Sequence, residues 1–167
     1  MTETIDRNYL EIKSIEDLIE ARAPQPQCSI DLISPSKFEL NKFFYKHVGK
    51  NHRWVDRLIW SDNQWIEYSS DSKVDTYTLK VKEELAGYFE LIFHPDLNEI
   101  EIAYLGLLEE YHYKKLGSYL LTMAIKKSFK KKIKKMWVHT CSLDHKNALK
   151  NYLARGMKIY KKESILI

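Results

Sequence analysis

The segment 101–117, EIAYLGLLEEYHYKKLG, has the spacing of a backbone site for phosphate. Its alternating apolar residues predict a strand, a loop rich in Lys and Tyr follows, and a helix is predicted directly after Gly117. The first N–H groups of a helix have no partner inside the helix, and the helix dipole is positive at that end. A strand that enters a helix through a tight loop therefore presents several N–H donors to one anionic group.

Two residues are candidates for accepting a proton near such a site. Glu101 lies in the predicted strand, with Glu99 as the neighbouring carboxylate on the same face. Strand alternation predicts Ala103 and Leu105 on that face, and Ile100, Ile102 and Tyr104 on the other. His139 ends a later strand and is the second candidate base, because the pKa of an imidazole lies near neutrality.

Tyr152 is the candidate proton donor. It lies near the end of a predicted helix, four residues before Gly156, which is expected to cap that helix. A phenol with a pKa of about 10 is protonated at pH 7 and can donate to a leaving group. The alternative is that Tyr152 packs as a half-buried aromatic residue in an amphipathic helix.

Hydrophobic periodicity and turn residues predict the elements that must position these side chains. Strands are predicted at 9–14, 28–34, 74–84, 85–95, 99–107, 134–140 and 157–167. Helices are predicted after residue 14 to residue 22, from Ser34 and Pro35 to Gly49, and at 118–132 and 144–155. This order predicts an α/β (α+β) fold, a mixed twisted sheet with helices on both faces. We expect residues 28–167 to form the domain, with residues 1–27 as an N-terminal extension packed on it.

Two segments resemble the GCN5-related N-acetyltransferases (GNAT), which transfer an acetyl group from acetyl-CoA to an amine. The family's loop pattern, Arg or Gln, two residues, Gly, one residue, Gly or Ala, aligns with His112, Lys115 and Gly117. The later pattern Asn-x-x-Ala-x-x-x-Tyr-x-x-x-Gly-Phe aligns with Ala148, Tyr152, Gly156 and Met157. His145 stands at its Asn position, and the segment 139–145, HTCSLDH, resembles a loop of a bacterial subgroup of the family.

The resemblance implies acetyl-CoA as cosubstrate and splayed central strands that form its groove. The pyrophosphate is expected to contact the loop residues His112, Tyr113, Lys114, Lys115, Leu116, Gly117 and Ser118. Main-chain groups of Leu105, Gly106 and Leu107 are expected to bind the pantetheine arm like an added strand. Asn147 is a further expected cofactor contact.

The same resemblance implies catalytic roles. Glu101 lies sixteen residues before Gly117, the spacing at which histone-type members place the general base, and His139 would lie beside the thioester. Tyr152 matches the family's general acid, which would protonate the departing CoA thiolate. The segment 43–65 lies where family members build the acceptor pocket. Its Trp54, Trp60 and Trp65 are expected either to form an aromatic wall for a cation or to anchor helices in the core.

The composition indicates one globular domain in a reducing compartment. A chain of 167 residues with 44% hydrophobic content can bury a sizeable core. Cys28 and Cys141 are too few and too isolated for a disulfide framework or a zinc site, so no metal is predicted. No apolar run reaches the roughly 18 residues of a membrane span, and the N-terminus does not resemble a signal peptide. We therefore expect a cytoplasmic protein without a membrane partner.

The net charge of +4 is unevenly distributed. Residues 1–100 contain 12 Lys and Arg against 18 Asp and Glu, whereas residues 101–167 contain 15 against 5. The basic half contains the predicted phosphate loop, and the acidic half would suit a cationic amine. The Lys-rich run 126–135 is otherwise a solvated helix face, or the contact of a nucleic-acid-binding module. A CoA-binding regulatory protein without catalysis, and a homodimer paired through the C-terminal strand, also stay open.

Overall fold

The computed structural model describes residues 2–24, 27–112 and 115–166, which form seven strands and four α-helices. The strands are β1 (Thr4–Ile12), β2 (Cys28–Leu32), β3 (Val74–Val81), β4 (Glu84–His94), β5 (Glu99–Leu107), β6 (Lys135–Cys141) and β7 (Lys158–Leu166). The helices are α1 (Phe38–Gly49), α2 (Asp62–Ser70), α3 (Leu116–Ser128) and α4 (Ala148–Ala154). Single 3₁₀ turns occur at Ile15–Asp17 and Glu109–Tyr111.

The strands form one sheet in the order β2-β3-β4-β5-β6-β1-β7. Neighbours run antiparallel except β5 and β6, which are parallel because α3 connects them as a crossover. These two strands pair at only three positions, from Glu99 opposite Lys135 to Glu101 opposite Trp137. Beyond Glu101 they separate, so the centre of the sheet opens toward the C-terminal ends of β5 and β6.

Helices pack on both faces of the sheet. Tyr88 and Phe89 are consecutive in β4, so their side chains point to opposite faces. Tyr88 stacks on Phe44 of α1 with ring centroids 4.8 Å apart, and we call this the front face. Phe89 joins the main core with Leu121 and Ile125 of α3 on the back face. Among the described residues, no helix has the length and apolar character needed to cross a bilayer.

A β-bulge in β5 corrects the predicted alternation of its side chains. Ile102 pairs with Leu91 and Tyr104 pairs with Glu90, which leaves Ala103 as an extra residue. The extra residue turns Tyr104 to the front face and Leu105 to the back core. Tyr104 therefore shares the face of Glu101, and Leu105 does not, contrary to the prediction.

The N-terminal segment is part of the sheet. The strand predicted at 9–14 is β1, which pairs with β6 on one side and with β7 on the other. Its Leu10 and Ile12 are buried in the main core. The helix predicted up to residue 22 is wrong beyond the short 3₁₀ turn, because the Ile19 N–H donates to the Arg155 carbonyl after α4. The division of the chain at residue 27 stays a prediction.

Helix α1 begins later than predicted. Its first residue is Phe38, and Ser34 and Pro35 lie outside the helix. After β2 the chain is still bonded to β3, because the Ile33 N–H donates to the Thr76 carbonyl (2.9 Å). The predicted end at Gly49 is confirmed.

Candidate active site

The separation of β5 and β6 opens a cavity of about 740 Å³. Its walls come from β1, β5, β6, the first turns of α3 and α4, and the loop after α1. The predicted site residues that line it are Glu101, Leu105, Gly106, Leu107, His112, Lys115, Gly117, Ser118, His139, Asn147 and Tyr152. Leu116 is buried in the main core instead, and Tyr113 and Lys114 lie outside the described residues.

The first turn of α3 faces the cavity at Gly117 and Ser118. Lys115 precedes the helix with a left-handed backbone, φ 59°, a conformation that costs a non-glycine residue about 1–2 kcal/mol. Within the described part of the chain, no side chain caps the helix at Lys115. The N–H groups of this turn are therefore suited to an anionic ligand.

The end of β5 presents main chain to the cavity. Leu105 and Leu107 pair with β4 on one side, and β6 has separated on the other. The Leu107 carbonyl already accepts a hydrogen bond from His112 Nε2–H (3.2 Å). Gly106 lies under α1, where a Cβ atom would be 2.3 Å from Val48 Cγ1. Glycine is required there because helix and strand approach so closely.

Tyr152 is held in the cavity wall by α4. Its side chain is only 7% exposed, and burial together with the charge of Asp144 raises its pKa. The hydroxyl is therefore protonated at neutral pH, as a proton donor must be. Asn151 Nδ2 donates to the Gly117 carbonyl (3.1 Å) and joins α4 to the first turn of α3. Gly156, with φ 102°, follows the helix as predicted.

Asp144 shapes the turn between β6 and α4. Its carboxylate accepts hydrogen bonds from the Thr140 hydroxyl and from the Cys141 N–H. This turn replaces the first helical residues that the sequence predicted, so α4 begins at Ala148 rather than at 144. Among the described residues, no group of three His, Cys, Asp or Glu side chains is placed to hold a metal ion.

The two candidate bases lie on opposite strands of the cavity. Glu101 Oε1 accepts a hydrogen bond from His94 Nε2 (2.9 Å), a partner that the sequence did not indicate. His139 lies on β6 with its ring centroid 5.6 Å from that of Tyr9. Burial lowers the pKa of His139, and the charge of Arg7 acts in the same direction. The imidazole is therefore uncharged at neutral pH and can accept a proton.

The sequence matches the family model described as "Acetyltransferase (GNAT) family" over residues 38–157. The chain belongs to the GNAT family. The predicted resemblance and the predicted fold class are confirmed. No curated protein matches the sequence significantly.

Solved GNAT structures share the fold at low identity. A GCN5-related N-acetyltransferase from Kribbella flavida has a TM-score of 0.70 and 12% identity, over 99% of this chain and 58% of that one. Another from Sphaerobacter thermophilus has a TM-score of 0.73 and 11% identity, over 98% of this chain and 50% of that one. An aminoglycoside acetyltransferase from an uncultured soil metagenomic sample has a TM-score of 0.63 and 11% identity, over 77% and 86%. This chain thus spans 50–58% of the length of the first two proteins.

Two positions that depart from the GNAT pattern touch each other. His112 stands where the family usually has Arg or Gln, and His145 stands where it usually has Asn. Their ring centroids are 5.0 Å apart, and His52 from the loop after α1 lies 6.0 Å from His145. Burial lowers the pKa of His145, and the adjacent His112, His52 and Lys146 act in the same direction. The three rings line the cavity together, which spacing along the sequence could not indicate.

The three tryptophans of segment 43–65 divide between cavity and core. Trp54 lines the cavity, with its ring centroid 4.6 Å from that of Tyr104. Trp60 and Trp65 lie 4.8 and 5.8 Å from the guanidinium of Arg57. The aromatic wall therefore surrounds a cation that belongs to the protein itself.

Proposed function

We propose that this GNAT protein is an acetyl-CoA-dependent N-acetyltransferase. It would transfer the acetyl group directly to a primary amine, of a small molecule or of a protein, within a ternary complex. One observation carries the proposal: the separated ends of β5 and β6, the first turn of α3 and Tyr152 line a single cavity. A long thioester could place its phosphates at one end of that cavity and its acetyl group near the candidate bases.

The residues present fit the cosubstrate. The N–H groups at Gly117 and Ser118, beside the cationic Lys115, would bind the pyrophosphate. The edge of β5 from which β6 has separated, at Leu105 and Leu107, would bind the pantetheine amides as an added strand, through groups other than the Leu107 carbonyl that His112 engages. Tyr113 and Lys114 stay predictions, as does Asn147, which lines the cavity at the start of α4.

Three side chains would move the protons. An alkyl amine with a pKa near 10.4 is less than about 0.1% neutral at pH 7, so Glu101 or His139 would remove its proton. The amine nitrogen then bonds to the acetyl carbon, and the C–S bond breaks as the tetrahedral intermediate collapses. Tyr152 would protonate the sulfur that leaves. The lowered pKa of His139 and the raised pKa of Tyr152 suit these roles.

Calorimetric titration with acetyl-CoA is the direct test, with free CoA and a short polynucleotide as controls. A second assay follows release of the CoA thiol in the presence of a panel of amines. Micromolar binding and amine-dependent release that requires Tyr152 would support the proposal. Binding without such release would favour a regulatory CoA-binding protein. Tighter binding to the polynucleotide would favour the nucleic-acid-binding alternative, which uses the Lys-rich segment.

Two further predictions accompany this function. A cytoplasmic location stays a prediction. A homodimer also stays a prediction: β7 pairs with β1 of the same chain and forms one edge of the sheet. Sedimentation measurements on the purified protein would decide the oligomeric state.

A further inference from the structure

Strand β1 contributes to the cavity although it lies outside the matched family region of 38–157. Ile5 and Arg7 both line the cavity wall. Arg7 pairs with Cys141 of β6 on one side and with Glu163 of β7 on the other. The Arg7 side chain lies on the front face of the sheet. Tyr9, two residues further along β1 and therefore on the same face, contacts the ring of His139, whereas Leu10 packs in the main core on the back face.

The guanidinium of Arg7 is incompletely paired. Its Nη1 lies 3.6 Å from Glu163 Oε1, which is longer than a hydrogen bond. Its Nε is buried and has no hydrogen-bond partner among the described residues. Glu163 is meanwhile engaged by others, since it accepts a hydrogen bond from the Tyr9 hydroxyl (2.7 Å) and lies 3.7 Å from Lys161 Nζ. The Arg7 side chain as a whole is 30% exposed, so its terminal Nη donors remain accessible to a second anion.

Arg7 lies close to the proposed chemistry. Its charge is one of the causes that lower the pKa of His139. Arg53, from the loop after α1, is a second guanidinium in the same wall, but Glu3 already accepts a hydrogen bond from it (2.7 Å). The cavity thus contains two candidate bases and the guanidinium of Arg7, whose hydrogen-bond donors are incompletely paired.

We propose that the acceptor is an amine that also carries a carboxylate, such as an α-amino acid, and that Arg7 binds this carboxylate. The inference rests on the proposed acetyltransferase function. A planar guanidinium matches a carboxylate with two parallel hydrogen bonds, which also orients the attached amine. Binding at Arg7 would direct that amine toward His139 and Glu101.

The test compares matched acceptors on the same protein. Amine-dependent release of the CoA thiol is measured with the common L-amino acids, with their C-terminal amides, with the corresponding decarboxylated amines, and with O-phosphoethanolamine. Arg7→Gln is the variant, and Arg22→Gln is its control, because Arg22 is exposed and does not line the cavity. Acetyl-CoA affinity is measured by calorimetry for all three proteins. Binding of the same amines to the CoA-bound protein and to the protein alone is measured in parallel.

We expect faster acetylation of the carboxylated amines than of their amides. The amine of an amino-acid amide has a lower pKa than that of the amino acid, so a larger fraction of it is neutral. Amine protonation would therefore favour the amides and would not explain a preference for the carboxylated amines. Arg7→Gln should lower kcat/KM for the carboxylated amines about tenfold or more, with acetyl-CoA affinity unchanged and Arg22→Gln equal to wild type.

Other outcomes would overturn the inference. An equal loss of kcat/KM on all amines in Arg7→Gln, or a loss of its acetyl-CoA affinity, would show that Arg7 does not act on the carboxylate. Faster acetylation of the amides or of O-phosphoethanolamine than of the amino acids, or no binding of any carboxylated amine, would do the same. If acetyl-CoA itself does not bind, the proposed function fails. The Arg7 inference is then decided by binding of carboxylated amines to the protein alone.

Discussion

The front face of the sheet carries charged side chains in two different settings. Over β3, β4 and β5 it lies under α1 and α2, and Glu90 there is fully buried with Arg57 only 8% exposed. Over β6, β1 and β7 the same face carries His139 and Arg7 in the wall of the cavity. Charges in the first half are satisfied within the fold, whereas Arg7 in the second half is not. This contrast separates a buried ion pair that holds the site together from an arginine that retains donors for a ligand.

The half of the front face over β3, β4 and β5, which α1 and α2 cover, is called the covered half, and it is organised around one ion pair. Arg57 Nη1 donates to both oxygens of Glu90 (3.3 and 3.1 Å), and the Tyr68 hydroxyl and Asn41 Nδ2 donate to the same carboxylate (2.9 and 3.0 Å). The guanidinium also lies 4.5 Å from the ring centroid of Tyr104. These contacts fasten the loop after α1 to β4 and β5. We infer that this cluster positions the front wall of the cavity.

Arg57→Met should cause the largest loss of stability. It leaves the Glu90 carboxylate buried without its cation, which costs about 3–5 kcal/mol in the free energy of unfolding. Urea denaturation followed by tryptophan fluorescence measures this loss. Lys42→Met is the control, because Lys42 pairs with Asp62 at the surface, where such pairs contribute about 1 kcal/mol or less. Equal losses in the two variants would contradict a larger structural role for the buried Arg57–Glu90 pair than for a surface pair.

Tyr152→Phe should cause the largest loss of turnover. The phenyl ring preserves the packing of α4, but the proton donor is lost, so kcat should fall about 100-fold. Acetyl-CoA affinity by calorimetry should stay within about twofold of wild type. Tyr160→Phe is the control, because Tyr160 is exposed on β7 and outside the cavity wall. A Tyr152→Phe variant with wild-type kcat would remove this residue as the acid.

His139→Gln should change the pH dependence of turnover. A base works when deprotonated, and the pKa of His139 lies below its usual value, so the rate should fall only at pH values below about 6.5. In the variant this acidic limb should disappear and kcat/KM should drop about tenfold, since Glu101 lies in the same cavity. Glu101→Gln is the complementary variant. A limb that persists in His139→Gln and vanishes in Glu101→Gln would assign the base to Glu101.

Much of the covered half could be predicted from local patterns. The hairpin of β3 and β4, the span of β5 and the end of α1 at Gly49 follow from alternation and turn residues. The bulge at Ala103 could not be predicted, because it depends on pairing with β4 and changes no residue type. The position of Arg57 inside an aromatic cluster also depends on contacts between distant segments.

The cavity could be predicted less completely than the covered half, because more of it depends on contacts between distant segments. The proposed phosphate loop and Tyr152 occur in short motifs, so spacing along the sequence indicated them as candidates. Arg7 reaches the site through strand pairing across most of the chain, as in its pairing with Cys141. His94 contacts Glu101 across the hairpin of β4 and β5, and this contact depends on the register of the two strands. The signal for β1 in the sequence is the alternation of Leu10 and Ile12 with polar residues, and it does not reach Arg7, because residues 6–8 are all polar. It also does not show which strands lie beside β1.

Lys115→Gly should have the smallest effect on stability and tests whether Lys115 serves the ligand. Glycine removes the cost of the left-handed backbone, about 1–2 kcal/mol, but it makes the unfolded chain more flexible by up to about 1 kcal/mol. The free energy of unfolding should therefore change by less than about 1 kcal/mol. Acetyl-CoA affinity should fall severalfold and depend less on salt, because one cation beside the phosphates is gone. Lys115→Asn separates the two effects, since Asn tolerates this backbone and also lacks the charge. Wild-type acetyl-CoA affinity and salt dependence in both variants would show that Lys115 contributes only its main chain to the cavity.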